Sequence, residues 1–206
     1  MNQGKLLVFS KAPIPGMVKT RLIPDLGVNR ATRLHRYLLL QTLETAQKLP
    51  SVSTELWCAP NSKHDFFQSC AKQYPLDLKQ QRGNDLGERM LDAFERTLAD
   101  TPWAILIGTD CPDLNVHDIE QTMEFLELGA DAVAGPAHDG GYYLLGLRKT
   151  DPSLFDGIPW GSNQVWDLTQ KKLQKLNWKY SLLRTQHDLD RIEDLKRFPS
   201  IQPSLG

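Results

Sequence analysis

Apolar residues run along the chain in two alternating rhythms. Short continuous runs, KLLVFS, TELWCA, WAILIGTD, ADAVAGPA and GYYLLGL, have the length and aliphatic density of strands. Between them lie longer stretches whose apolar residues recur at helical spacing. NRATRLHRYLLLQTLETAQKL predicts a helix with Leu34, Leu38 and Leu39 on one face and Asn29 as its N-cap. DLGERMLDAFERTLAD predicts the most regular helix, with Leu86, Met90, Phe94 and Leu98 at steps of four and a capping box from Asp85 to Glu88. HDFFQSCAKQY, NVHDIEQTMEFLEL, NQVWDLTQKKLQKL and DRIEDLKRF predict further helices, and LDLKQQ and KYSLLRT weaker strands.

This order predicts an α/β protein built as a three-layer α/β/α sandwich around a Rossmann-like, mostly parallel sheet, because parallel neighbours need crossover connections. WAILIGTD reads as a central strand, since it is apolar throughout. DAVAGPAHDGGYYLLGL has no room for a crossover helix, which predicts one antiparallel strand. With no linker and no internal repeat, residues 1–206 are expected to form one domain, with the tail PSIQPSLG loose on its surface.

Composition narrows the function. Lys and Arg total 24 against 25 Asp and Glu, so the net charge of -1 gives no general field for nucleic acid or a membrane surface. Any anion site must be local. The first apolar run is too short for a signal peptide or a membrane span, so a soluble cytoplasmic protein is expected. Cys58, Cys70 and Cys111 are odd in number and widely spaced, which excludes a disulfide framework and a Cys-x-x-Cys site and predicts free thiols. Trp103, Trp166 and Trp178 are expected in the core in preference to an interface.

In an open parallel sheet, ligands bind beyond the carboxyl ends of the strands. The candidate chemistry lies there. After the first strand, KAPIPGMVKTRL combines two prolines and Gly16 with Lys11, Lys19 and Arg21, a stiff basic loop that can converge on phosphate or simply be solvated. It matches neither the Walker nor the Rossmann glycine pattern. GTDCPDL delivers Asp110 from the central strand as a candidate Mg²⁺ or Mn²⁺ ligand, while Asp113 and Asn115 can equally form a turn and a cap. Cys111 reads as a small buried hydrophobe.

In GPAHDGGYYLLGL, Gly140 and Gly141 permit close ligand approach or a tight turn, and Asp139 and His138 are candidate acid-base groups. HDLDRIEDL offers His187 and Asp188 as metal or catalytic groups, and Asp190 either as a second carboxylate facing the same way as Asp188 in an extended D-x-D, as paired metal or acid-base groups require, or as half of a capping box with Glu193. QRGNDLGERM adds Asp85, Gly87 and Arg89 at a helix start suited to a nucleotide. The phosphatase pattern D-x-D-x-T is absent.

These five stretches, in this order, resemble the bacterial GT-A-type glycosyltransferase-like family related to the selenodomain-associated transferases and often described as of unknown function. The family is similar in fold to the nucleotidyltransferases that build molybdopterin-guanine dinucleotide and phospholactyl-guanosine diphosphate. The resemblance implies a nucleotide-diphospho-sugar transferase (GT-A) fold. It also implies a nucleotide pocket in which Lys19, Thr20 and Arg21 meet the phosphates, a metal at Asp110 with Asp188 in support, and acceptor contacts near Gly140, Gly141 and Trp160. TDCPD departs from a literal D-x-D, and Gly161 and Asn163 depart from the family's Trp-Ser-Thr stretch. The implied reaction is metal-dependent transfer from a nucleotide-sugar donor to a small acceptor. Alternatives are nucleotidyl transfer with pyrophosphate release and a non-catalytic nucleotide-binding module.

Overall fold

Strand β1, Lys5–Lys11, is buried at five of its seven positions because parallel strands flank it on both sides. One neighbour is β2, Ser53–Ala59, and the other is β4, Ala104–Ile107. The structure is a computed structural model that describes residues 4–201. With β3 (Leu76–Gln80), β5 (Ala132–Pro136), β6 (Tyr142–Leu147) and β7 (Tyr180–Leu182), these strands form one seven-stranded sheet of order β3-β2-β1-β4-β6-β5-β7. The expected antiparallel strand is β6, which runs against both β4 and β5.

Among the described residues, five α-helices cover the sheet: α1 (Ile23–Gln47), α2 (Asp65–Gln73), α3 (Leu86–Leu98), α4 (Val116–Glu127) and α5 (Val165–Lys175). On one face, Leu39 and Leu43 of α1, Phe67 of α2 and Ile119 of α4 pack against Leu6, Leu56 and Ile105. On the other, Met90 and Phe94 of α3 and Leu173 of α5 pack against Leu7, Trp57 and Leu145. Trp103 and Trp178 are buried and Trp166 packs partly buried against the second face. Burying these apolar faces on both sides of one sheet is the main drive to this architecture. Among the described residues, no helix is long and apolar enough to cross a membrane.

Three local expectations differ from what forms. Helix α1 starts at Ile23, with Pro24 in its first turn, and is interrupted at Gly27 (φ 77°, ψ 160°), so Asn29 is not its N-cap. DRIEDLKRF forms a 3-10 helix, Ile192–Arg197, rather than an α-helix. The reason is its apolar spacing: Ile192, Leu195, Phe198 and Ile201 recur every third residue, the period of a 3-10 helix, and pack on Leu22, Leu34 and Leu38. The start of the expected loose tail is therefore anchored, with Ile201 buried, while residues 202–206 lie outside the described residues.

Candidate active site

Strands β1 and β4 are adjacent and parallel, so the loops after them leave the sheet at the same edge. A cavity of about 510 Å³ opens there, lined by both loops, by the turn after β5 and by the segment after β7. The loop after β1 is stiffened by a Pro15-Gly16 turn in which the Met17 N–H donates to the Ile14 carbonyl at 3.0 Å. Gly16 (φ 82°) supplies the positive φ that this turn requires and lies outside the cavity lining, so it shapes the loop rather than admitting a ligand.

Lys19 has a left-handed backbone (φ 46°, ψ 40°) that turns its side chain inward, leaving it 2% exposed. Its ammonium lies 2.7 Å from Asp110 Oδ1 and 3.2 Å from Asp190 Oδ1, and it also donates to the Leu189 carbonyl. Arg21 reaches the other Asp190 oxygen at 3.1 Å. Asp190 is thereby a partner of two cations and makes no capping box with Glu193. Asp194 takes the capping role instead, accepting from the Asp190 and Arg191 N–H groups at 3.0 and 2.7 Å.

Electrostatics follow from this packing. Burial disfavours charge on Lys19, but Asp110 and Asp190 outweigh it and raise its pKa. Burial likewise works against the Asp110 carboxylate, and the Lys19 ammonium beside it holds that carboxyl below its ordinary value. Asp188 has no such partner. Burial, then repulsion from Asp139, Asp110 and Asp190, pushes its pKa up to about 7.

Asp139 faces the same cavity, its carboxylate accepting the Gly141 N–H at 2.8 Å. Gly141 also lines the cavity, whereas Gly140 does not. Gly140 (φ 89°) instead clasps the segment before α5: a Cβ there would lie 2.1 Å from the Asn163 carbonyl oxygen, and the Gly140 carbonyl accepts the Trp166 N–H at 2.8 Å. His138 also falls outside. Its ring stacks on His187 at 3.7 Å, and neither imidazole lines the cavity.

At the start of α3, Asp85 accepts the Glu88 N–H at 2.8 Å. The expected box does not close reciprocally, because Glu88 turns its carboxylate to Asn84 at 2.7 Å. Arg89 donates to the Gly83 carbonyl at 3.0 Å, and neither it, Asp85 nor Gly87 lines the cavity. Gly87 acts through its neighbour: with no Cβ it admits the Trp160 ring, whose Nε1 would otherwise lie 2.5 Å from that carbon. Trp160 does line the cavity, as do Lys11 and Thr20.

Asp113 lies outside the lining and its segment is a turn, with Asn115 and Asp118 closing a reciprocal cap on α4. The Cys111 thiol donates to Gln186 Oε1 at 3.0 Å, and Gln186 donates to the buried Asp118 at 2.9 Å, tying the loop after β4 to the segment after β7. Burial, then Asp188, raises the Cys111 pKa, so it is not a nucleophile at neutral pH. All three cysteines are free and buried.

His35 and Gln81 also line the cavity and escaped the sequence reading. His35 is 5% exposed and its Nε2–H donates to the Lys11 carbonyl at 2.8 Å, fixing the end of β1. A polar residue inside the apolar stripe of α1 was the available signal. Gln81 donates to the Trp57 carbonyl at 2.8 Å and carries no sequence signal of its own.

Among the described residues, no three His, Cys, Asp or Glu side chains are grouped to hold a cation by themselves. The donor chemistry nevertheless fits Mg²⁺ or Mn²⁺, which commonly take one or two carboxylates and complete their shell with water and phosphate oxygens. Asp110 and Asp188 are hard oxygen donors on one cavity, and the mutual repulsion of the carboxylates around them marks an excess of negative charge.

Comparison with known proteins places this geometry in context. No curated protein sequence matches significantly. A protein of Desulfovibrio desulfuricans G20, whose own assignment as a nucleotide-diphospho-sugar transferase is provisional, superposes with a TM-score of 0.87 at 28% identity, over 100% of this chain and 97% of that one. A cytidylyltransferase from Leptospira borgpetersenii matches with a TM-score of 0.61 at 15% identity, over 98% of this chain and 88% of that one. The 4-diphosphocytidyl-2C-methyl-D-erythritol synthase of Anaerococcus prevotii matches at 0.62 and 8% identity, over 97% and 99%. The fold is that of the nucleotide-diphospho-sugar transferases, as the motifs implied. Residues 42–162 match the family model DUF2064, and the chain belongs to that family, described as uncharacterised proteins conserved in bacteria.

Proposed function

We propose that the protein transfers a glycosyl group from a nucleotide-diphospho-sugar to a small acceptor, with Mg²⁺ or Mn²⁺ held by Asp110 and Asp188. The observation that carries this reading is the meeting of Lys19, Asp110, Asp188, Asp190 and Asp139 in one cavity at the carboxyl ends of β1 and β4. The similarity to the Desulfovibrio desulfuricans protein supports the same class of donor.

Asp110 and Asp188 would hold the cation, which would supply positive charge against the diphosphate leaving group. Lys19 keeps Asp110 ionised and oriented, and Lys11, the last residue of β1, and Arg21, in the segment after it, face the phosphates. Asp139 takes the proton of the acceptor hydroxyl as its oxygen bonds to the anomeric carbon and the bond from that carbon to the diphosphate breaks. His35 holds the end of β1, and so Lys11, in place.

The test is a thermal-shift panel of nucleotide sugars and nucleoside triphosphates with and without Mn²⁺, since a ligand of the folded state raises its stability. Metal-dependent stabilisation by a nucleotide sugar supports the reading. Stabilisation by triphosphates alone, with pyrophosphate released in the presence of a sugar phosphate, replaces it with nucleotidyl transfer; binding without turnover replaces it with a non-catalytic module.

A further inference from the structure

Gln186, in the segment after β7, is 4% exposed, yet each of its polar atoms is engaged. Its backbone prolongs the sheet: the Gln186 N–H donates to the Pro136 carbonyl at 3.0 Å, and its carbonyl accepts the His138 N–H at 2.9 Å. Its side chain reaches other elements, where Oε1 accepts the Cys111 thiol at 3.0 Å and Nε2 donates to Asp118 of α4 at 2.9 Å. One residue therefore bonds to the chain neighbour of Asp110 and to the chain neighbour of Asp139, and stands two positions before Asp188.

A second bond completes the arrangement. The Leu189 N–H donates to the Asp110 carbonyl at 2.8 Å. Asp188 thus lies between two ties, Gln186 to Cys111 and Leu189 to Asp110, which clamp residues 186–189 alongside residues 110 and 111. The clamp works against a force, because Asp139, Asp110 and Asp190 all repel a carboxylate at Asp188.

The need of Asp118 for a partner does not account for the glutamine. Arg184 already pairs with Asp118 at 3.1 Å, and the Asn115 N–H donates to it at 3.1 Å. What the Gln186–Asp118 bond fixes is the glutamine itself. Burying an amide is offset only by the bonds it makes, and a fully paired buried network holds the segments it joins in one arrangement.

Resting on the metal reading above, we propose that Gln186 is a positioning residue that, through Cys111 and Asp118, holds Asp188 at the spacing from Asp110 that a divalent cation requires. The spacing is set before any cation arrives, so binding does not have to draw two repelling carboxylates together. Groups one bond removed from metal-binding side chains are typically worth about 10–100-fold in metal affinity.

The experiment titrates Mn²⁺ alone into the wild type, Gln186→Met and Leu126→Ala, reading the free ion by electron paramagnetic resonance below the melting range of each protein. Gln186→Met keeps the length of the side chain and removes both of its bonds. Leu126→Ala opens the buried core at the end of α4 far from Asp118, and so lowers stability without altering the clamp. Gln186→Met is expected to weaken Mn²⁺ binding about 10–100-fold, whereas Leu126→Ala lowers Tm and leaves the affinity unchanged. Cys111→Ala should weaken binding in the same direction, Cys111→Ser should retain it because the hydroxyl is also a donor, and Cys111→Ala added to Gln186→Met should cost nothing more. An unchanged affinity in Gln186→Met, or an equal loss in Leu126→Ala, overturns the inference while leaving the metal reading intact. If Gln186→Met does not fold, the Cys111 variants decide, and equal affinities in Cys111→Ala and Cys111→Ser overturn the inference. Failure of the wild type to bind Mn²⁺ overturns the metal reading, and the inference with it.

Discussion

Replacing Lys19 by Met keeps most of the aliphatic stem but removes the ammonium between Asp110 and Asp190. Removing one partner of a fully buried ion pair costs about 3–5 kcal/mol. Here the cation is 2% exposed but the Asp110 and Asp190 side chains are 50% and 35% exposed, so water screens the carboxylates left behind. Discounting for that screening gives about 2 kcal/mol, which in a domain of this size lowers Tm by about 4–8 °C. The pH dependence is set by both partners. Asp110 is held below its ordinary 3.8, so its share of the stability is complete above that value and lost as pH falls through the folded one. Lys19 is raised above 10.5, so its share is complete below that value and lost as pH rises through the folded one. Calorimetric melting from pH 3 to 9 should therefore show the wild-type advantage across the neutral range and its erosion in acid. The same substitution in an Asp110→Asn background should cost measurably less. An unchanged Tm at pH 7, or an equal loss with and without Asp110, would refute the reasoning.

Four further outcomes are expected. Asp188→Asn should raise stability at pH 8 by about 2–4 °C, the shift for about 1 kcal/mol, because a carboxyl held up to about 7 makes stability fall as pH rises from 3.8 through 7; the gain should vanish at pH 3.5 and be accompanied by loss of Mn²⁺ binding. His35 is held below its ordinary 6.5 by burial, so the unfolded chain takes up a proton that the folded one refuses and stability declines as pH falls below 6.5; His35→Gln should flatten that slope in urea titrations. Gly140→Ala introduces a Cβ 2.1 Å from the Asn163 oxygen at φ 89°, and should cost about 2–3 kcal/mol in chemical denaturation, combining a clash with backbone strain. Asp110→Asn should abolish Mn²⁺-dependent stabilisation by a nucleotide sugar, and retention of that effect would remove Asp110 as the metal ligand.

The layered fold was legible because its strands are continuous apolar runs and the linkers between most of them have room for a helix; β6 betrayed its direction by the absence of such room. Helix α1 was misread at its start because Asn29 looks like a cap, while the break lies two residues earlier at Gly27. The final 3-10 helix was misread because its period of three mimics an amphipathic α-helix over so short a span. In the site, Asp110, Asp139 and Lys19 could be found from their positions after strands. What spacing could not show is that Lys19 turns inward toward carboxylates, that Gly87 serves Trp160 and Gly140 serves Asn163, or that His138 turns out of the cavity to stack on His187. These are contacts between distant segments, and local pattern carries no term for them.

The Lys19–Asp190 contact joins residues 171 positions apart. A chain leaving the ribosome from its N-terminus therefore exposes the ammonium long before the second carboxylate that holds it has been made. The sheet strands β1 to β4 can pair meanwhile, but the charge cluster cannot balance until the segment after β7 docks. Truncation anywhere before that segment leaves Lys19 without Asp190, so the completed cluster needs the whole span from β1 to the segment after β7.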